Sequence, residues 1–200
     1  MQLKNKTFIL IEALLYLTFI VMDIIGIDST YIKYAGIILC FLNALFDNKK
    51  LITAALLFTL IADYFLLVRD NDYLFGIISF LVVQCIYFVY LKKNNCKPYF
   101  IIRILLYVIT IIGSLVIKAP ILDMLALCYF ESLLMNTISS YTNKKLRVFS
   151  IGLSLFIGCD ICVGLFNILP HNNLYSFVSI MMWIFYLPSQ VLISLSKDEN

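Results

Sequence analysis

Charged residues are scarce in this sequence. Only 14% of its 200 residues are charged, whereas 62% are hydrophobic and the mean hydropathy is +0.97. Ordinary soluble domains carry about a quarter charged residues, which keep their surfaces in water. The shortage therefore excludes an ordinary soluble protein and favours a protein whose solvent is the lipid bilayer.

Residues typical of several hydrolase classes are also missing. The single histidine, His171, lies in a polar loop, so we do not expect a catalytic zinc, whose usual sites draw on histidine ligands. The sequence contains no Gly-x-Ser-x-Gly nucleophile elbow. We therefore expect neither a metal nor another cofactor.

The six cysteines do not have the regular spacing of a disulfide framework, and almost all lie inside apolar runs. Cys159 and Cys162 form a Cys-x-x-Cys pair in the middle of such a run, whereas a redox pair is expected near a helix start. We interpret both as packing residues, since a free cysteine behaves as a small apolar side chain.

Loops containing Asp, Asn, Lys or Pro divide the chain into eight apolar runs of roughly 17 to 22 residues, the length of a transmembrane helix. The first run is long and carries Glu12, and it lacks a small-x-small cleavage site, so we expect a retained helix rather than a signal peptide. The sequence predicts an all-α, polytopic bundle of eight transmembrane helices forming one domain over 1–200. The helices are predicted near 7–25, 31–46, 51–68, 73–91, 99–117, 120–140, 148–168 and 174–195.

Lysine and arginine predict the orientation of the bundle, because positive residues are retained on the cytoplasmic side. One predicted face carries only three of them, Lys33, Arg69 and Lys118. The other twelve lie on the opposite face: Lys4, Lys6, Lys49, Lys50, Lys92, Lys93, Lys97, Arg103, Lys144, Lys145, Arg147 and Lys197. Both termini are therefore predicted to be cytoplasmic, in what we expect is a bacterial cytoplasmic membrane. The net charge of +3 needs no nucleic-acid partner, because loop topology and anionic lipid headgroups account for it.

Three carboxylates lie well inside predicted helices, where each costs about 2.5 to 3.5 kcal/mol to insert. They are Asp63 in the third helix, Glu131 in the sixth and Asp160 in the seventh. Asp63 follows Lys50 by 13 residues and Asp160 follows Arg147 by 13, so both aspartates lie about 20 Å from the basic flank. We therefore expect the two aspartates to share one depth in the membrane.

Two helices carry polar faces that can flank these aspartates. Gln84 and Tyr87 follow one face of the fourth helix, and Tyr186 and Gln190 follow one face of the eighth, beside a kink expected at Pro188. The glutamines have an alternative role as interhelical hydrogen-bond partners, worth about 0.6 kcal/mol each.

Four further charged residues are expected near helix ends, in contact with water. They are Glu12, Asp23, Lys33 and Asp123.

Four segments carry a family pattern: an aspartate in 60–67, a Gly/Phe/Gln/Tyr face in 75–87, an aspartate after a small residue in 151–166, and a Tyr/Gln face in 186–193. In this order they resemble the YhhN-like lysoplasmalogenase family of eight-helix membrane proteins. Tyr129 and Met135, in the predicted sixth helix, match the family pattern more loosely. Three positions depart from the pattern: Ala62 replaces the usual glycine, Cys159 the usual serine, and Gln84 a common histidine, so a proton-carrying role at position 84 is in doubt.

The resemblance implies hydrolysis of the vinyl-ether bond of a lysoplasmalogen, a lysophospholipid substrate, to a fatty aldehyde and glycerophospho-ethanolamine or -choline. Asp63 and Asp160 would be the acid/base pair, as in glycosidases, with either in either role. The substrate-binding residues would be Gln84, Tyr87, Tyr129, Glu131, Tyr186 and Gln190.

Two other classes remain open. Parallel helices with an aspartate at one depth are also typical of small transporters built from repeats. A non-catalytic lipid-binding protein is the third possibility, for which Gln84 is the only indication.

Overall fold

The computed structural model describes residues 2–69, 71–168 and 173–197, except for the side chains of residues 2–4 and 173–176. His171 lies outside this part of the chain. Within the described residues the fold is 86% helical and contains no strand. The α-helices are α1 (Gln2–Ile25), α2 (Thr30–Phe46), α3 (Lys50–Asp63), α4 (Tyr73–Lys93), α5 (Phe100–Val116), α6 (Ile121–Ser140), α7 (Arg147–Ile168) and α8 (Asn173–Leu195).

The prediction of an all-α bundle of eight helices is confirmed. Six helical segments are long and apolar enough to cross a membrane, and α2 and α5 are apolar helices of 17 residues, at the lower limit for a crossing. Predicted and observed helix ends agree within two residues, with two exceptions. α1 begins five residues earlier, and α3 ends at Asp63, five residues before the predicted end, where the chain continues as a π-helix to Val68. The described helices form a multi-pass membrane protein. The cytoplasmic location of the termini stays a prediction.

Six helices form the central ring of the bundle. Their contacts follow the order α2, α3, α4, α6, α7, α8 and back to α2, and α8 also touches α3. α1 packs outside this ring against α2 and α8, and α5 packs outside it against α6. α8 is therefore the helix in contact with both α3 and α7, the two helices that carry the aspartates.

Glycines let neighbouring helices approach closely. A methyl group at Gly152 on α7 would lie 2.9 Å from the Ile193 side chain and 3.1 Å from the Ser189 carbonyl oxygen on α8. A methyl group at Gly36 on α2 would lie 2.9 Å from Leu187 on α8. Close contact between such helices is the usual basis of association in lipid, where apolar burial alone gives little.

α3 changes its winding directly after Asp63. Residues Tyr64–Val68 form a π-helix, closed by a hydrogen bond from the Arg69 N–H to the Tyr64 carbonyl at 2.8 Å. A methyl group on Gly76 of α4 would lie only 2.5 Å from the side chain of Leu66 in this turn. Gly76 thus allows α4 to pack against the widened turn. Such turns are frequent at functional sites.

α8 continues through Pro188, which has no N–H to donate to the carbonyl of Ile184. The hydroxyl of Tyr16 on α1 donates to that carbonyl at 3.3 Å. A side chain from outside the ring therefore replaces the hydrogen bond that the proline removes.

The expectation of a hydrated Glu12 is wrong. α1 extends well beyond Glu12 on both sides, and only 3% of Glu12 is exposed. Its Oε1 accepts a hydrogen bond from the Cys40 thiol of α2 at 3.6 Å, and its Oε2 has no hydrogen-bond partner in the described structure. Lys33 is also largely buried, at 9% exposure, whereas Asp123 is exposed in the first turn of α6.

Candidate active site within the helix bundle

Asp63 is held by a tyrosine from the last helix. It lies at the end of α3 with 5% of its surface exposed, and the Tyr186 hydroxyl is 2.7 Å from each of its two carboxylate oxygens. The Tyr186 ring packs edge-on against Trp183, with 5.2 Å between centroids. Such a hydrogen bond is about twice as strong when the carboxyl group is ionised as when it is neutral.

Asp160 lies on α7 and faces a different tyrosine. Its carboxyl group interacts electrostatically with the Tyr129 hydroxyl of α6. In the described structure neither the Tyr129 oxygen nor Oδ2 of Asp160 makes a hydrogen bond, although both atoms are buried. Asp160 therefore keeps an oxygen that is free to interact with a ligand.

The two aspartates belong to one cluster. The Cys159 thiol is buried and lies within electrostatic range of both Asp63 and Asp160, and the Tyr186 hydroxyl is within such range of Cys159 and Tyr129. We call Asp63, Asp160, Cys159, Tyr129 and Tyr186 the carboxylate cluster. It combines side chains from α3, α6, α7 and α8.

Aromatic rings form one wall of the carboxylate cluster. The Phe156 ring lies between the two tyrosines, 5.5 Å from the Tyr186 centroid and 6.4 Å from that of Tyr129. The Phe80 ring of α4 is tilted against Tyr129, with 5.4 Å between centroids, and meets Phe156 edge-on at 5.7 Å. These buried rings keep the surroundings of the carboxyl groups apolar.

Gln84 takes part in a buried hydrogen-bond network. Its Oε1 accepts from Nδ2 of Asn136 on α6 at 2.9 Å, and Oδ1 of Asn136 accepts from Arg103 of α5 at 2.9 Å. Arg103 also donates to Ser139 and to the Pro98 carbonyl. Nε2 of Gln84 is buried and has no partner in the described structure. The amide oxygen of Gln84 therefore links α4 to α6, while its amide nitrogen is available to donate a hydrogen bond to a ligand.

Tyr87 and Gln190 are fully buried, as their helix faces suggest. The Tyr87 hydroxyl and Oε1 of Gln190 make no hydrogen bond in the described structure, while Nε2 of Gln190 donates to Ser189 at 3.2 Å. Tyr87 interacts electrostatically with Tyr129, which places it beside the carboxylate cluster.

Glu131 lies apart from the other predicted site residues. Its Oε1 accepts a hydrogen bond from Thr110 of α5, the peripheral helix. Tyr129 is two residues earlier on α6 and points into the ring, so Glu131 projects from the other side of that helix. The structure does not bring Glu131 to Asp63 or Asp160, and its role in substrate binding stays a prediction.

Sequence reasoning did not identify Cys159 as a residue of the site. Its only signal was the replacement of the usual family serine next to Asp160. All six cysteines are free, and Cys159 and Cys162 are buried. No group of three or more His, Cys, Asp and Glu side chains able to hold a metal ion occurs among the described residues.

The buried carboxyl groups, the tyrosines beside them and the apolar helices define a class, that of polytopic membrane proteins with a polar site inside the bundle. Comparison with known proteins gives the family. A sequence model of the YhhN family matches residues 29–197, and the chain belongs to that family. None of the curated proteins and none of the solved structures matches the chain significantly.

Proposed function

We propose that this protein is an intramembrane hydrolase that cleaves the vinyl-ether bond of lysoplasmalogens with Asp63 and Asp160. Membership of the YhhN family supports a lysoplasmalogenase-like function at the level of the family. The observation that carries the finer proposal is the carboxylate cluster, where two aspartates from separate helices lie within electrostatic range of one buried thiol.

Vinyl-ether hydrolysis needs an acid and a base. An acid protonates the alkene carbon that is not bonded to oxygen, which produces an oxocarbenium ion. Water then attacks this ion while a carboxylate takes up a proton from the water, and the product is a hemiacetal. The hemiacetal then breaks its bond to the glycerol oxygen, which receives the hemiacetal proton, and the fatty aldehyde leaves. Transfer of one proton from the base back to the acid restores the enzyme.

The hydrogen bonds of the carboxylate cluster suggest which aspartate has which role. The single Tyr186 hydroxyl proton is shared between the two oxygens of Asp63, and this hydrogen bond would stabilise an ionised carboxylate beside the oxocarbenium ion. Oδ2 of Asp160 accepts no hydrogen bond in the described structure, so a proton on it is free to reach the substrate carbon. We therefore assign Asp160 as the acid and Asp63 as the base.

The test is aldehyde release from lysoplasmenylethanolamine by purified protein in detergent. We expect Asp63→Asn and Asp160→Asn each to lower kcat at least ~100-fold, the usual contribution of a general acid or base. Asp123→Asn, which changes an exposed carboxylate in the first turn of α6, is the matched control and should keep wild-type activity. Absence of aldehyde with folded wild-type protein, or full activity of both site variants, would falsify the assignment.

A carrier is the second candidate, supported by the arrangement of the helices. α1–α4 and α5–α8 each begin with a helix outside the ring, and each carries an aspartate on its third helix. Such repeated halves are typical of transporters. Uptake of labelled lysophospholipid into proteoliposomes, without aldehyde formation, would favour the carrier over the hydrolase.

A further inference from the structure

A cleft of about 450 Å³ opens where α1 ends and α2 begins, beside the end of α7 and the first turns of α8. We call it the α1–α2 cleft. Its walls include Asp23, Asp28 and Lys33 from the connection between α1 and α2, Phe166 from α7 and Ser179 from α8. None of these residues belongs to the carboxylate cluster.

Charges of both signs line the α1–α2 cleft. Nζ of Lys33 lies 2.8 Å from Oδ2 and 3.0 Å from Oδ1 of Asp23. Asp28 is exposed, and its Oδ1 accepts the Thr30 N–H at 3.0 Å. Two carboxylates and one ammonium group give these three residues a formal charge of −1. Among the described residues, the cleft therefore offers the ammonium group of Lys33 to a phosphate and leaves a carboxylate, Asp28, for an ammonium group.

Two aromatic residues connect the cleft with the carboxylate cluster. Nζ of Lys33 lies 4.9 Å from the ring centroid of Trp183. Trp183 packs against Tyr186, whose hydroxyl donates to Asp63. A ligand seated at Lys33 is therefore only two side chains away from the proposed catalytic carboxylate.

The separation along the helices suits a lysophospholipid. Phe166 follows Asp160 by six residues, about 9 Å along α7, and Ser179 precedes Tyr186 by seven, about 10 Å along α8. About nine bonds join the ether oxygen of lysoplasmenylethanolamine to its nitrogen, roughly 10 Å in an extended chain. The vinyl ether can thus lie at the aspartates while the headgroup reaches the cleft.

We propose that the α1–α2 cleft binds the zwitterionic phosphate–ammonium headgroup of the substrate lysophospholipid, an inference that rests on the proposed function. Lys33 donates to a phosphate oxygen, and Asp28 accepts from the ammonium group. An anionic headgroup without an amine, such as phosphoglycerol, lacks the partner for Asp28 and adds negative charge beside three described residues whose formal charge is already −1.

The first test is headgroup preference. We expect Asp28→Asn to lower kcat/KM for lysoplasmenylethanolamine about fivefold, through KM, while kcat/KM for the phosphoglycerol analogue does not fall. Asp28→Lys should shift the preference further towards phosphoglycerol. Asp72→Asn, an exposed aspartate at the same end of the bundle paired with Arg69, is the control and should leave the preference unchanged. An unchanged preference in both Asp28 variants would overturn the proposal.

The second test does not depend on hydrolysis. Trp183 is the only tryptophan of the chain and lies next to Lys33, so its fluorescence reports on occupancy of the cleft. We expect a saturable change with 1-O-alkyl lysophosphoethanolamine, competition by free glycerophosphoethanolamine, and a Kd about fivefold higher for Asp28→Asn. Competition by inorganic phosphate alone would indicate a simple anion site and overturn the proposal.

The two assays separate the two proposals. Binding that depends on Asp28, without aldehyde release by the wild type, overturns the hydrolase and leaves the headgroup site supported. If the wild type releases aldehyde but neither binding nor headgroup preference changes in the Asp28 variants, the hydrolase is supported and the headgroup site is overturned.

Discussion

The hydroxyl of Tyr186 contacts both oxygens of Asp63, and the rest of the tyrosine packs against other rings. Its ring lies against Trp183 and Phe156, so a phenylalanine at this position would keep the packing and lose only the hydrogen bonds. The hydroxyl and the ring of Tyr186 can therefore be tested separately.

Tyr186→Phe should fold and lose activity. A hydrogen bond to a charged group is worth about 1.5–3 kcal/mol, so we expect kcat for aldehyde release to fall by roughly 10- to 100-fold. Tyr141→Phe is the control, since the Tyr141 hydroxyl bonds to Ser154 on the exposed surface of the bundle. Wild-type kcat in Tyr186→Phe would show that Asp63 does not need its donor.

At the residue scale, the sequence predicted the positions of the aspartates better than their partners. A carboxylate inside an apolar run stands out, because its cost in lipid is high. Tyr186 is 123 residues from Asp63, and nothing in the local pattern of α3 indicates which helix supplies a hydroxyl. Glu131 shows the same limit, because its partner Thr110 depends on the side of α6 that faces α5.

At the scale of elements, the π-helix after Asp63 depends on close contact with α4. Gly76→Ala would place a methyl group 2.5 Å from Leu66, so we expect a loss of about 1–3 kcal/mol in stability and reduced activity, because the turn beside Asp63 must shift. Thermal unfolding in detergent and aldehyde release measure the two effects.

Gly113→Ala is the matched control for this change. No atom lies within 4 Å of a methyl group at Gly113 on α5, so that variant should be neutral or slightly stabilised. Adding Leu66→Ala to Gly76→Ala should restore part of the stability. Equal stability of the two glycine variants would contradict the packing explanation.

Pro188 and Tyr16 form a second testable pair. Tyr16→Phe leaves the Ile184 carbonyl without this donor, so we expect a loss of about 0.5–1.5 kcal/mol in stability. In a Pro188→Ala background the alanine N–H can bond to Ile184, so the same change should cost less. A double-mutant cycle by thermal unfolding gives the coupling energy between Tyr16 and Pro188. Additive effects of the two substitutions would refute the idea that the Tyr16 hydroxyl replaces the hydrogen bond removed by Pro188.

Helix ends were more predictable than the buried face of α1 or the winding of α3. Short polar segments mark where each helix leaves the membrane, and the predicted ends agree closely with those of α2 and α4 to α8, and with those of α3 once its π-helical turn is included. The burial of Glu12 could not be predicted, because almost every residue around it is apolar and no stripe marks the face of α1 that meets Cys40. The π-helix has no signal in the apolar pattern either, since it depends on the close approach that Gly76 allows.

At the scale of the whole molecule, the distribution of Lys and Arg predicts that both ends of the chain are cytoplasmic. Alkaline phosphatase is active only outside the cytoplasm, so a fusion at the C-terminus should be inactive. A fusion inserted after Asp28, between α1 and α2, is the control and should be active. The reverse pattern would show that the orientation is wrong and would place the α1–α2 cleft at the cytoplasmic end.

The position of α8 between α3 and α7 also bears on how the protein is made. α8 is the last of these helices to be synthesised, and it brings Tyr186 to Asp63. A nascent chain that has inserted only α1 to α7 therefore exposes Asp63 to the membrane without this donor. Insertion of α8 is then the step that both closes the ring and brings Tyr186 into the carboxylate cluster.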